Sequence, residues 1–220
     1  MKFILFGMPG VGKGTQSALL SDHYEIPKLS TGEVLRHEME NNSEIGARVA
    51  QIMRTGGLVP DEVVEAIVEA RIRSESCKKG FILDGFPRTL NQAVYLDLLL
   101  KKIGCFEDIF IIYLVVDKER LASRILGRFL CSACGNIFHE SLNQLVKING
   151  CTRCGCKKFI YRDDDEKENI KNRIKIYQEQ TFPLIEFYRG RKRFLEVDAD
   201  ASIEVVFKNI TFLLDKVDIN

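Results

Sequence analysis

No apolar run in this 220-residue sequence is longer than eight residues, Ile109 to Val116. A membrane-spanning helix needs about 20, so none is expected. The N-terminus offers only Lys2 and a short apolar run before a glycine-rich turn, without a signal-peptide core or cleavage site. A cytoplasmic protein is expected. Neither sign of charge is in excess: 32 Lys and Arg stand against 31 Asp and Glu, a net charge of +1. A nucleic-acid partner is therefore not expected, and any phosphate binding must come from cations placed locally. Internal repeats and low-complexity tracts are missing, and prolines number five. With 45% hydrophobic and 29% charged residues, collagen-like, mucin-like and disordered chains are excluded. The length suits one large domain, or one with inserted pieces.

What is present alternates. Short apolar runs at Phe3 to Phe6, Phe81 to Leu83, Ile109 to Val116 and Phe194 to Val197 read as buried strands, with Ile26 to Leu29 a candidate fifth. Helical patterns lie between them: 13–24, 32–41, 44–54, 61–74 with Asp61 as N-cap, 91–103, 117–126, a long 163–188 broken at Pro183, and 202–214. The expected fold is α/β, a three-layer sandwich around a parallel sheet. Cys131 to Arg162 breaks the rhythm, with five cysteines and little helical period, and reads as an inserted minidomain.

Gly7-Met8-Pro9-Gly10-Val11-Gly12-Lys13-Gly14-Thr15 sits between an expected strand and an expected helix. Its glycines let successive N–H groups turn toward phosphate oxygens, and the helix start adds its positive dipole end. Lys13 supplies a mobile charge for a transferring phosphoryl group. Gly10, Val11, Gly12, Lys13, Gly14 and Thr15 thus form a candidate phosphate loop, with Gly14 where the strict motif has Ser or Thr.

Cys131-x2-Cys134-x16-Cys151-x2-Cys154 is a tetrahedral zinc pattern. With all four positions filled the site is closed and structural, ordering a segment short of apolar residues. Cys156 could compete with Cys154, though a two-residue spacer favours Cys154. A reduced or redox-active thiol cluster is the other reading. Cys77 and Cys105 read as packing or surface residues, and His139 as structural. Arg191-Lys192-Arg193 reads as an exposed turn.

Gly7 to Gln16, Ser30-Thr31-Gly32-Glu33-Val34-Leu35-Arg36, Gly80 to Thr89 with Gln92, and Arg162-Asp163-Asp164-Asp165 with Arg173 together resemble the adenylate kinases and close nucleoside monophosphate kinases. The resemblance runs in order from residue 1 to about 200. It implies a phosphate-loop fold with a five-stranded parallel sheet, the reaction ATP + AMP ⇌ 2 ADP with Mg2+, and a monomer. It also implies a core (1–29, 61–126, 165–220), a helical AMP-binding segment (30–60) and a zinc-bearing lid over ATP (127–164).

The same resemblance implies roles. Arg36 and Arg88 grip the AMP phosphate. Arg124 and Arg128 contact ATP, and Arg162 and Arg173 reach the transferring phosphates and AMP. Asp84, at a strand end, holds Mg2+ through water. Gly57, Leu58 and Val59 with Thr31 and Gln92 read the AMP base, next to Gly85 and a cis Phe86-Pro87 bond. Ile137 and Phe138 cover the ATP base and ribose, and the Ala201 carbonyl meets adenine. Independently, two nucleotides carry about five to six negative charges, and arginine forks suit them. The acidic run 163–166 is expected to pair with lid arginines. A UMP/CMP kinase or GTP-using AMP kinase is the alternative; a zinc-ribbon nucleic-acid module is a remote one.

Overall fold

The computed structural model describes residues 1–141 and 146–218. Residues 142–145 of the expected lid and 219–220 of the expected core lie outside the described residues. The chain runs β1 (Lys2–Phe6), α1 (Lys13–Tyr24), β2 (Lys28–Ser30), α2 (Thr31–Glu40), α3 (Glu44–Arg54), α4 (Asp61–Ile72), β3 (Phe81–Asp84), α5 (Leu90–Lys102) and β4 (Ile109–Val115). It continues with α6 (Lys118–Ile125), β5 (Arg128–Cys131), β6 (Ile137–His139), α7 (Val146–Asn149), β7 (Phe159–Ile160), α8 (Lys167–Ile176), α9 (Pro183–Arg189), β8 (Phe194–Asp198) and α10 (Ile203–Asp218).

Five strands pair in parallel in the order β2-β3-β1-β4-β8. Each inner strand is apolar on both faces because helices cover both. Ile4, Phe6, Leu83 and Ile111 face α2 to α5 and α9; Phe3, Leu5, Ile82 and Ile112 face α1, α6 and α10. This is the three-layer α/β sandwich.

The fifth strand is shifted from its expected place. Pro27 lacks an N–H and can only accept, here from Ile82 N, so the ladder starts at Lys28. The long helix expected over 163–188 is divided: a 3-10 turn at Asp163–Asp165, α8, a π turn at Tyr177–Thr181, then α9 with Pro183 at its start. Asp61 is not the cap of α4. Pro60 holds that position, and the Asp61 carboxylate is engaged by α5 instead. The 191–193 turn is not simply exposed either. Arg191 pairs with Asp97 and lies 4.5 Å over the Tyr188 ring, and Arg193 lies 4.5 Å over Phe110. A planar guanidinium packs on aromatic faces where an ammonium would stay hydrated, and only Lys192 remains exposed.

Strands β6-β5-β7 form a separate antiparallel sheet with a small core of its own, Phe129, Phe138, Val146 and Phe159 around buried Cys131 and Cys151. Among the described residues, no helix is long and apolar enough to cross a membrane.

Candidate active site

Parallel pairing gathers the strand ends at one edge of the sheet, where ligands of α/β folds bind. The register sets Asp84 level with Leu5 on one side and Ser30 on the other. The chain leaves β1 through the glycine loop and enters α1 at Lys13, with Gly12 at φ +105° as N-cap. Gly10, at φ +86°, lies against α6: a Cβ there would come within 2.8 Å of the Ile125 side chain. Lys13 Nζ donates to the carbonyls of Gly7 (2.6 Å) and Met8 (3.0 Å). One helical turn on, Ser17 Oγ donates to Asp84 Oδ2 at 3.2 Å. Thr31 Oγ1 donates to the Gly85 carbonyl at 3.2 Å.

Beside the loop is a cleft of about 550 Å3, open solvent included. Thr31, Arg36, Gly57, Leu58, Val59, Gly85, Arg88, Gln92, Arg162 and Arg173 all line it, with Asp164. These ten come from four separate stretches of sequence and were all expected at the acceptor site. Phe86 and Pro87, whose peptide bond is cis, are buried and do not line it.

The arginines are held by acids. Arg162 chelates Asp164, Arg128 chelates Asp165, and Arg173 touches both. Of the acidic run, Asp164 and Asp165 pair with arginines, Arg128 and Arg162 from the expected lid and Arg173 from α8. Arg124 donates to the Ala199 carbonyl (3.1 Å) and to Asp200 (3.3 Å), next to exposed Ala201. From the small antiparallel sheet, the Ile137 side chain reaches over the loop, 3.0 Å from where a Cβ on Gly14 would sit. Phe138 points the opposite way along β6. Its ring is buried against Phe129, centroids 5.6 Å apart, so only its backbone faces outward. Arg153 of the lid pairs with Asp22 of α1 at 2.7 Å.

Cations crowd this edge. Desolvation by burial, with Arg88, Arg173 and Arg128 adding to it and Asp84 opposing, pushes the Lys13 amine down to about 7. Desolvation and Arg162 push Arg36 down to about 9, and the same causes push Arg173 to about 10. Burial works against the Asp164 carboxylate, yet Arg162 and Arg173 hold it well below the usual range.

The four sulfurs of Cys131, Cys134, Cys151 and Cys154 lie within 4.8 Å of one another, with Cys131–Cys154 at 3.5 Å and Cys134–Cys151 at 3.6 Å. A tetrahedron of sulfurs about 2.3 Å from one ion has edges of about 3.8 Å, so the set fits a metal such as zinc. Backbone N–H groups of Ala133 and Cys134 point at the Cys131 sulfur, and those of Arg153 and Cys154 at Cys151. Burial, with the neighbouring sulfurs, pushes the Cys134 thiol up to about 12, while the backbone N–H groups hold those of Cys131 and Cys151 down. Cys156 stands apart, its sulfur accepting from Lys158 N–H at 3.4 Å. His139 bridges Ser123 O and Ser141 Oγ, a structural position. Cys77 and Cys105 are buried in the main core.

The sequence model of the adenylate kinase family matches residues 5–193. The chain belongs to the adenylate kinase family. It is an enzyme of the nucleoside monophosphate kinase class, a phosphotransferase. An adenylate kinase of Alkaliphilus oremlandii is 43% identical over 210 residues, 96% of each chain. One from Oceanobacillus iheyensis is 41% identical over 98% of this chain and all of its own. One from Archaeoglobus fulgidus is 42% identical over 99% of both.

The sequence reading missed several supporting residues of this family site. Ser17 had a signal, four residues after Lys13 and so on the same helix face. Thr181 had none: only the π turn brings its Oγ1 to the Arg88 carbonyl, at 2.9 Å. Asp61, by composition a cap for its own helix, instead accepts from Thr89 and Gln92 of the neighbouring one.

Proposed function

We propose that the chain catalyses ATP + AMP ⇌ 2 ADP, with AMP in the cleft and ATP between the glycine loop and the lid. One observation carries the reading: two cation-rich sites, the Lys13 loop and the Arg36–Arg88 cleft, meet at Arg162, Arg173 and Asp84. A phosphoryl group moving between two anions needs this arrangement. The proposed parts are a core (1–29, 61–126, 165–220), an AMP segment (30–60) and a lid (127–164). Both clefts are built by one chain, which suits a monomer. Free thiols and nucleotide substrates suit the cytoplasm.

In this mechanism Arg36 and Arg88 fix the AMP phosphate, whose oxygen is already anionic, so no general base is needed. That oxygen attacks the γ-phosphorus as the bond to the β-oxygen of ATP breaks. Lys13, Arg128, Arg162 and Arg173 neutralise the equatorial oxygens, exchanging Asp164 and Asp165 for phosphate. Arg124, Ile137 and the loop at Ala201 cover the donor nucleoside, with the Phe138 backbone. The closed lid excludes water, which would otherwise accept the phosphoryl group. Mg2+, when bound, would add charge neutralisation, and the buried carboxylate of Asp84 is the hard oxygen donor that would hold it. In the lid, Cys131, Cys134, Cys151 and Cys154 would hold zinc as a structural ion.

The test is ADP formation from ATP with AMP, GMP, CMP and UMP in turn. ADP from AMP alone is expected. Transfer to UMP or CMP would overturn the assignment of Thr31 and Gln92, and no transfer to any acceptor would overturn the activity.

Nucleotide binding should also take up a proton. In the free protein the Lys13 amine, lowered to about 7, is mostly neutral at pH 8. Phosphates beside it favour the ammonium and raise it. Titration calorimetry with MgATP at pH 8, in buffers of different ionisation enthalpy, should report uptake approaching one proton. A buffer-independent enthalpy would contradict this.

A further inference from the structure

Asp61 begins α4 but spends its carboxylate on α5. Its Oδ1 accepts from Gln92 Nε2 at 2.7 Å, and its Oδ2 accepts from Thr89 Oγ1 at 3.1 Å. At the other end of the amide, Gln92 Oε1 accepts from the Arg88 backbone N–H at 2.7 Å. Gln92 is 2% exposed and lines the acceptor cleft.

An amide can be turned end for end with little change of shape, so its partners decide its direction. A carboxylate only accepts and a backbone N–H only donates. Asp61 and Arg88 therefore lock the Gln92 amide one way round. One N–H and one lone pair remain, in an order that cannot reverse while both partners hold. Such an edge tells apart bases of the same outline but opposite polarity. Adenine presents a ring-nitrogen acceptor beside an amino donor. Hypoxanthine presents a ring N–H donor beside a carbonyl acceptor.

We propose that Asp61 is a positioning residue for acceptor-base specificity: through Gln92 it makes the cleft discriminate 6-amino from 6-oxo purine monophosphates. This rests on the reading of the cleft as the AMP site. The Thr89 bond strengthens the brace, since Thr89 also caps α5 by accepting from Gln92 N–H at 3.2 Å.

The test compares AMP with IMP as acceptors at saturating MgATP, in wild type, Asp61→Ala, Asp61→Leu and Asp61→Asn. Removing the acceptor leaves a buried N–H unpartnered and leaves the Arg88 N–H as the single bond opposing a turn of the amide. In Asp61→Ala, kcat/KM for AMP should fall about tenfold or more while that for IMP does not fall, so the AMP-over-IMP preference drops by about tenfold or more. Asp61→Leu fills the vacated volume and should give the same drop if the alanine variant folds poorly. Asp61→Asn keeps a carbonyl that can accept from Gln92 and should retain most of the preference. An unchanged or increased preference in both the alanine and leucine variants would overturn the proposal and leave Asp61 as a brace between α4 and α5. Failure of the wild type to use AMP would instead overturn the assigned activity.

Discussion

Replacing Lys13 with alanine is expected to cut ADP formation from ATP and AMP by about 10³-fold, while the protein stays folded. The amine is the one cation carried by the glycine loop itself, and its bonds to Gly7 O and Met8 O place it over the strand ends. Neighbouring arginines cannot replace it, because Arg128, Arg162 and Arg173 already have phosphate oxygens of their own to neutralise and none of them is carried by the loop. Stability should move differently. The amine titrates near 7 when folded and at 10.5 when unfolded, so the folded state holds its proton less firmly. The cost of burying the charge is complete below about pH 7 and fades as pH rises toward 10.5. Alanine removes that cost and also two hydrogen bonds, each worth about 1 kcal/mol. The thermal midpoint of the variant, relative to wild type, should therefore be higher at pH 6 than at pH 9. A steady-state assay with melts at both pH values checks both outcomes. Activity within tenfold of wild type would make Lys13 a loop brace rather than a transfer residue.

What could be read from the sequence was local. The glycine loop, the strands and the cysteine spacing each lie within one short stretch, and their physics needs no distant partner. The residues of the candidate cleft were grouped only through resemblance, because their four stretches are separated by tens of residues and join where β2 and β3 end side by side. Errors fell where a side chain has a choice of partner. Asp61 is a good cap by composition, but Thr89 and Gln92 lie opposite it across the α4–α5 contact. Arg191 is charged and sits in a turn, yet Tyr188 and Phe106 offer it faces to pack on. Phe138 follows Ile137 in a strand, so the two must face opposite sides; the sequence does not say which side is the lid core. There Phe129 and Phe159 settle it.

Stripping the metal proposed for the four-cysteine site with a chelator under reducing conditions, or making Cys151→Ser, should lower the thermal midpoint by about 10 °C and raise the KM for ATP more than that for AMP. The lid has little else to hold it. Its strands are two to four residues long, β7 pairs with β5 only at Leu130–Ile160 and Cys131–Phe159, and two of the sulfurs sit inside its small core. Without a cation the Cys134 thiol, raised by burial and its neighbouring sulfurs, stays protonated, and the four sulfurs lose the ion that would tie them together. A loosened lid no longer sets Ile137 over Gly14 or Arg153 against Asp22, so the donor site suffers most. The cleft proposed for the acceptor takes most of its walls from α2, α3 and the 56–59 and 85–92 stretches, with Arg162 and Asp164 the two residues of the 127–164 segment that line it. Cys156→Ser is the control: its sulfur lies outside the four, on Lys158 N–H, and both readouts should stay at wild type. Readdition of zinc should restore the chelated protein. If a thiol-counting assay shows four newly free cysteines while melt and KM are unmoved, the lid holds itself together by its aromatic cluster and the metal is dispensable to it.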